Sequence, residues 1–568
     1  MNASENVGTG MSGKYTIGVD FGTLSARAVA LELATGKEVA EAVFEYPHAV
    51  MDMELPSGKK LPPQFALQHP QDYLDALKYA VGGVLKTVPA REVAGIGLDF
   101  TTCTVVCVDE EGVPLCMKPE FADEPHAYVK LWKHHGAVKQ AQAFDRVAKQ
   151  RGEVWPSFYG GTSSSEWLFP KILETAQEAP LVYEKTHRFY DAVDWLSLVL
   201  TGKETHNPCN AGLKGYWTKE GGFPDNDFFR AVDPVLDGII GTKVCAAVNR
   251  VDEIAGVVSR EGAALTGLLP GTPLAMPVAD AHAALPALNV TGDGQCLLVV
   301  GTSGVLTVNA KAPAPVPGIC AQTDGGIFPD LCSMEAGQAG LGDCFDWFVS
   351  HCVPEEYRQE ARQQGISIHQ LLRQKAMNYR PGQSRLVALD WWSGNRSILK
   401  NEGLSGLILG LNMQTRPEEI YRALIEATAF GLRVIVDNYE AYGVKIGDIC
   451  VAGGIAMKDP MLMQIYADVL SRKLTVGDSA QAGARGSAMY AAVAAGAFPD
   501  IRCAANAYAK PVKATYTPKP ENVAIYDALY REYRKLHDYF GGENKVMDRL
   551  YEIYDMGKHV PQEKHNAI

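Results

Sequence analysis

Hydrophobic positions along this chain follow two alternating patterns. Short β-rich runs occur at 15–20, 27–33, 93–99 and 104–109. Turn residues punctuate them: Gly22 separates the first two, and Glu110, Glu111 and Gly112 close the fourth. Apolar residues at helical spacing fill 72–86, 127–149 and 187–200. Pro270, Gly271, Pro273 and Pro277 then break the chain, and the pattern restarts. Runs at 296–300 and 305–309 flank Gly301-Thr302-Ser303-Gly304, repeating the strand–turn–strand order of the first opening. Helical patterns follow at 417–442, 460–472, 486–495 and 522–539, and the tyrosine stripe Tyr526, Tyr530 and Tyr533 in the last is expected to be packing. Strands alternating with helices predict an α/β architecture. Two similar openings predict two lobes, 14–276 and 277–545, after a small, polar lead-in (1–13) expected to be disordered, and before a tail (546–568).

Composition narrows the function classes. The 568 residues are 47% hydrophobic and 21% charged, enough for more than one packed core. Net charge is −13 with no basic stripe, which argues against a nucleic-acid partner. It leaves room for a nucleotide, because phosphates can be held by backbone N–H groups and one metal ion. No apolar run reaches membrane-spanning length, so no membrane partner is expected. The 12 cysteines contain no Cys-x-x-Cys pair and read as free thiols of a reducing cytoplasm. Cys103 and Cys107 lie four apart in a β-rich run, without a second ligand pair.

Several familiar motifs fail on inspection. Gly8-x-x-x-x-Gly13-Lys14 ends in Tyr15 where a hydroxyl should meet Mg2+, and it precedes a strand. Gly95-x-Gly97 has Phe100 in place of a third glycine. Gly301-Thr302-Ser303-Gly304 lacks the last glycine of a nucleophile elbow. His134-His135 reads as a solvated pair on a polar helix.

Four others survive. Asp20-Phe21-Gly22-Thr23-Leu24-Ser25-Ala26-Arg27 turns tightly between two strands. Its N–H groups and the Thr23 and Ser25 hydroxyls can cradle phosphate, and Asp20 at the strand end can hold the hydrated Mg2+ that accompanies ATP. Gly301, Thr302 and Ser303 offer a second such turn. Gly453-Gly454, between a strand and the helix led by Asp459-Pro460, lets adenine and ribose approach the backbone. Gly483-Ala484-Arg485-Gly486 opens a helix of small residues suited to close packing at a hinge.

This order of hairpin, second hairpin, Gly-Gly loop and small-residue helix resembles the actin, hexokinase and heat-shock ATPase superfold of two actin-like (ribonuclease H-like) lobes around a cleft. Within it the chain resembles the FGGY carbohydrate kinases. Gly406-x-Ile408-x-Gly410-Leu411, Glu419-Ile420 and Ala423-x-x-Glu426 are close to that family's C-terminal signature, and the segment from Ser163 to Lys171 loosely fits the N-terminal one. Further strings resemble the family's ribulokinase branch. These are Pro119-Glu120-Phe121, Leu131-Trp132-Lys133, Tyr159-Gly160-Gly161, Ser164-Ser165-Glu166-Trp167, Ala211-Gly212 with Lys214, Glu335-Ala336-Gly337-Gln338, Gly342-Asp343 and Leu389-Asp390-Trp391 with Gly394 and Arg396.

The resemblance implies ATP-dependent phosphorylation of a ketopentose to its 5-phosphate, L-ribulose first and D-ribulose next, in L-arabinose catabolism. It assigns the catalytic base to Asp280 in Asp280-Ala281-His282, where the residue pattern alone would allow an N-cap for a helix starting at His282. His282 itself reads as structural. Lys214 and Glu335 are the candidates for the sugar hydroxyls, with Trp132 as an aromatic cover and Thr102 beside them. Gly22, Thr23, Ser25, Arg27, Gly301, Thr302, Ser303, Gly453 and Gly454 are the expected ATP contacts. Other sugar or polyol kinases of the family, and a nucleotide-switched actin-like binding protein, are the alternatives. A homodimer is compatible with the sequence, although no apolar stripe marks an interface.

Overall fold

Three glycines in two early segments dictate how this molecule closes. A Cβ on Gly18 would stand 1.8 Å from the Ala484 carbonyl oxygen, one on Gly97 2.1 Å from that of Ser487, and one on Gly95 2.7 Å from that of Ala491. A helix from late in the chain therefore lies directly on the backbone of an early sheet, at a separation that any side chain would prevent. The computed structural model describes residues 13–311, 314–477, 481–542 and 544–558. Residues 1–12 of the expected lead-in (1–13), with Gly8 of the rejected motif, and residues 559–568 of the expected tail (546–568) lie outside the described residues.

The early sheet contains β1 (Tyr15–Phe21), β2 (Ser25–Glu32), β3 (Glu38–Glu45), β4 (Val93–Phe100), β5 (Ile254–Val257), β6 (Pro273–Ala275) and β7 (Val278–Ala279). Its order is β3-β2-β1-β4-β6-β5, with β7 also pairing β4. The late sheet contains β8 (Cys296–Val300), β9 (Gly304–Ala310), β10 (Ala321–Asp324), β11 (Cys332–Gln338), β12 (Ile449–Ala452), β13 (Leu474–Val476) and β14 (Ala514–Tyr516), in the order β10-β11-β9-β8-β12-β13-β14. In each sheet an antiparallel hairpin, β1–β2 or β8–β9, is followed by a parallel partner, β4 or β12. The repeated opening in the sequence is thus a repeated sheet topology.

The helices that build the site are α1 (Leu168–Glu178), α2 (Pro208–Lys214), α3 (Asp280–Ala287), α4 (Pro417–Ala441), α5 (Ala482–Ala494) and α6 (Pro520–Gly541). Asn207 caps α2 by accepting from Asn210 N at 2.8 Å, and Pro208 occupies its first turn. Helix α5 packs on β1, β4 and α3, and its buried Arg485 donates to Gly36 O at 2.9 Å and Tyr508 O at 2.8 Å. The stripe Tyr526, Tyr530 and Tyr533 of α6 is buried, as packing requires. All twelve cysteines are free thiols. Among the described residues no helix is long and apolar enough to cross a membrane.

Two expected helices differ. Over 127–149 the helix begins only at Val138, and Val129–Lys130 is a strand. Over 187–200, Arg188–Asp191 is a strand that leads directly into the helix Ala192–Thr201. In the first case a buried ion pair, described below, outcompetes helical propensity and holds the segment extended.

Candidate active site

Strand register brings three carboxylates together. Asp20 on β1 pairs with Asp99 on the parallel β4, and Asp99 pairs with Val278 on β7, so Asp280 follows at the same end of the sheet. Asp280 is the first residue of α3; the N-cap is Ala279, and the helix does not wait for His282. Its Oδ1 accepts from Ala281 N at 2.6 Å. Burial first, then the charges of Asp20 and Glu335, raise Asp280 to about 7, against the opposing pull of the Ala281 N–H and Lys214. Asp99 is pushed well up by burial and by Asp20, although Ser487 Oγ donates to its Oδ2 at 2.5 Å. Its buried Oδ1 has no hydrogen-bond partner among the described residues. Burial raises Asp20 as well, while Arg27, whose Nη1 lies 3.8 Å from Asp20 Oδ2, draws it back. A Cβ at Gly483 would stand 3.0 Å from Asp20 Oδ2 and 3.3 Å from Asp99 Oδ1, so glycine there leaves room beside the two carboxylates.

Beside Asp280 lies a charged cluster drawn from α2, the late sheet and three loops. Lys214, at the end of α2, is 3.5 Å from Glu166 Oε2, and Arg396 is 3.3 Å from the same oxygen. His135 Nε2 is 3.7 Å from Glu166 Oε1. Burial opposes ionisation of Glu166, but Arg396, Lys214 and His135 outweigh it and hold the carboxyl at about 2. Burial likewise works against the Lys214 ammonium, and Glu166 and Glu335 more than restore it, so Lys214 is a fixed cation. Glu335, on β11, lies 3.8 Å from His282 Nε2. Burial pushes His282 down, and its Nδ1 is 3.6 Å from Cys209 Sγ. Trp132 is half-buried, and its Nε1 donates to Thr23 Oγ1 at 3.2 Å, which ties this side to the first hairpin.

The loops expected to meet a nucleotide sit at corresponding strand ends. Gly22 N donates to Ser25 O at 3.0 Å, closing the β1–β2 turn, and Gly301 N donates to Ser303 O at 3.0 Å, closing the β8–β9 turn. Thr302 is exposed at the tip of the second turn, and its carbonyl accepts from Leu341 N at 2.8 Å. Gly453 has φ +107, and a Cβ there would stand 2.2 Å from Val300 O, so the loop after β12 runs hard against the end of β8. Gly454 faces open space, with nothing within 4 Å of a Cβ placed on it.

Known proteins resemble the chain along its length. Residues 296–495 match the model of the FGGY family of carbohydrate kinases, C-terminal domain. A ribulokinase from Geobacillus thermodenitrificans is 46% identical over 548 residues, covering 95% of this chain and 97% of that protein. One from Bacillus licheniformis is 45% identical over 537 residues, covering 93% and 97%. The chain belongs to the FGGY family of carbohydrate kinases. In fold, this FGGY kinase is similar to the crystal structure of a xylulose kinase from Rhodospirillum rubrum, with a TM-score of 0.77 at 22% identity over 95% of this chain and all of that one. The architecture is accordingly that of two actin-like lobes.

Of the residues singled out by sequence, the structure of this FGGY kinase brings Asp20, Arg27, Asp280, Lys214 and Glu335 into one electrostatic group, with Thr23 and Trp132 joined at its edge. Gly301, Thr302, Ser303, Gly453 and Gly454 form a second group on the late sheet. Gly22 lies in the first turn, and Ser25, the first residue of β2, is buried. Thr102 sits in the turn after β4, next to Cys103, whose charge environment includes Lys214. Asp99, Glu166 and Arg396 were missed as site residues. For Asp99 a signal existed: Gly18-Val19-Asp20-Phe21 recurs as Gly97-Leu98-Asp99-Phe100. His134 corrects another reading. It is neither solvated nor helical but buried in the loop before Val138, with Nε2 2.9 Å from Glu174 Oε2. Burial lowers it to about 4.

Proposed function

We propose that this kinase transfers the terminal phosphoryl group of ATP to the 5-hydroxyl of a ribulose, with L-ribulose the first substrate and D-ribulose or other ketopentoses beside it, as a cytoplasmic step of L-arabinose use. The observation that carries the reading is the placement of Asp280 against Lys214 and Glu335 and beside the Asp20 hairpin, in a chain about 45% identical to ribulokinases. Phosphoryl transfer asks the protein chiefly for positioning and charge stabilisation. Asp280, raised to about 7, is matched to accept the proton of the attacking hydroxyl near neutral pH. Lys214, held as a cation, and Glu335 supply a donor and an acceptor for the other hydroxyls, and Trp132 offers an aromatic face to the carbon skeleton.

Gly22, Thr23, Ser25, Arg27, Gly301, Thr302 and Ser303 are the proposed phosphate contacts, and Gly453 and Gly454 those of adenosine. Asp20 and Asp99 are hard oxygen donors, and the unpartnered buried Oδ1 of Asp99 suits a divalent cation. Mg2+ bound there would offset charge on the transferring phosphates.

ADP release with ATP and Mg2+ across L-ribulose, D-ribulose, L-xylulose, D-xylulose and glycerol tests the assignment, with Asp280→Asn alongside. Turnover on the ribuloses that disappears in the variant is the expected result. No turnover on any ketopentose would refute the substrate, and full activity of the variant would refute the base.

A further inference from the structure

The Lys171 ammonium is fully buried and donates to two backbone carbonyls, Cys103 O at 2.8 Å and Leu131 O at 2.8 Å. Among the described residues it forms no ion pair within 4.0 Å. Burying a cation on carbonyls alone is costly, and burial pushes Lys171 down to about 8. An apolar side chain of the same length would cost the fold less. What the ammonium adds is order in the two segments it joins.

Both segments lead to the sugar side of the site. Cys103 adopts φ +61, a left-handed conformation unusual outside glycine, in the turn that contains Thr102. That turn is held at three points. Cys103 N donates to Asp191 Oδ2 at 2.9 Å, Cys103 O receives Lys171, and the Thr101 and Thr104 hydroxyls are 2.8 Å apart. Leu131 immediately precedes Trp132, and α1 fastens the residues around it. Lys130 Nζ donates to Glu174 Oε2 at 2.5 Å and Thr175 Oγ1 at 2.7 Å, while His134 meets Glu174 from the other side. Lys171, Glu174 and Thr175 lie at i, i+3 and i+4, so one face of α1 grips the chain on both flanks of Trp132.

We propose that Lys171 is a positioning residue of the sugar pocket, holding the Thr102 turn and the Trp132 segment in register with each other. The inference rests on the ketose reading above. It concerns the pocket's walls and leaves the nucleotide loops out, so its signature is selective.

Lys171→Met in the full chain tests it, with initial rates measured while L-ribulose and ATP are varied separately. The expected result is a ketose KM raised about tenfold with ATP KM within about twofold of wild type. The melting temperature should not fall, and the rise in it caused by L-ribulose should shrink while the rise caused by ATP persists. An unchanged ketose KM, or equal changes in both KM values, would overturn the proposal. Should Lys171→Met not fold, Asp191→Ala releases the same turn at its N–H and decides by the same selective signature. Wild-type enzyme inactive on every ketopentose would overturn the ketose reading together with this one. An active wild type with a normal Lys171→Met variant would overturn this one alone.

Discussion

Replacing Asp280 by asparagine should abolish turnover and, at the same time, make the protein more stable at alkaline pH. The carboxyl is raised to about 7 by burial and by the Asp20 and Glu335 charges. In the unfolded chain it titrates near 3.9. Between those two values the folded state binds a proton that the unfolded state releases, so stability falls as pH rises through that window. The width of the window bounds the loss at about 4 kcal/mol, and the penalty is fully present above pH 7. Asparagine has the same shape and carries no charge. The variant should therefore match wild type near pH 4, exceed it increasingly up to about pH 7, and hold that margin at higher pH. For a lobe of this size the gain corresponds to roughly 5–10 °C in melting temperature. Thermal melts of both proteins without ligands, at half-unit steps from pH 4.5 to 8.5, read this directly. A difference in melting temperature that does not vary with pH would refute the reasoning, because it would mean that Asp280 ionises in the folded state as easily as in water.

As the proposed base, the same group should set the kinetics: kcat/KM for the ketose should fall about tenfold per unit well below pH 7, as Asp280 becomes protonated, and a pH–rate profile flat from pH 5 to 7 would contradict it. Gly18→Ala should destabilise by at least about 3 kcal/mol, since its Cβ would stand 1.8 Å from the Ala484 carbonyl oxygen and 2.4 Å from Ala488 N, both backbone atoms that cannot rotate away. Denaturation monitored by intrinsic fluorescence would show it. Tyr533→Phe removes the 2.7 Å hydrogen bond from its hydroxyl to Asp390 Oδ1 and should cost about 1–3 kcal/mol of stability while leaving both KM values unchanged, which a melt and a steady-state assay on one preparation can check.

Much of the fold was legible because its signals are local. Gly22 and Gly301 mark turns between β-rich runs, and Asp459-Pro460 begins a helix with Asp459 accepting from Leu462 N at 3.0 Å. The proposed base, Asp280, was reachable through resemblance, because it lies in a contiguous string. Interactions between distant segments were not legible. Glu166 and Arg396 are 230 residues apart, and neither shows locally that the other will neutralise it. His134 and Lys130 sit in a stretch with helical periodicity, yet Glu174, 40 and 44 residues away, decides their conformation. Asp99 could have been found by aligning the chain with itself, since register repeats Asp20 across a parallel pair.

The docking of α5 on β1 and β4 also governs how the protein comes into being. About 380 residues separate Phe100 from Ala482, and at roughly 5–20 residues per second a ribosome needs on the order of 20–80 s to cross that interval. Throughout it the early sheet exists without its cover, a glycine-lined backbone face open to the cell. The first half of the nascent chain must therefore wait in an unfinished state, and its exposure to aggregation is set by translation speed as well as by stability.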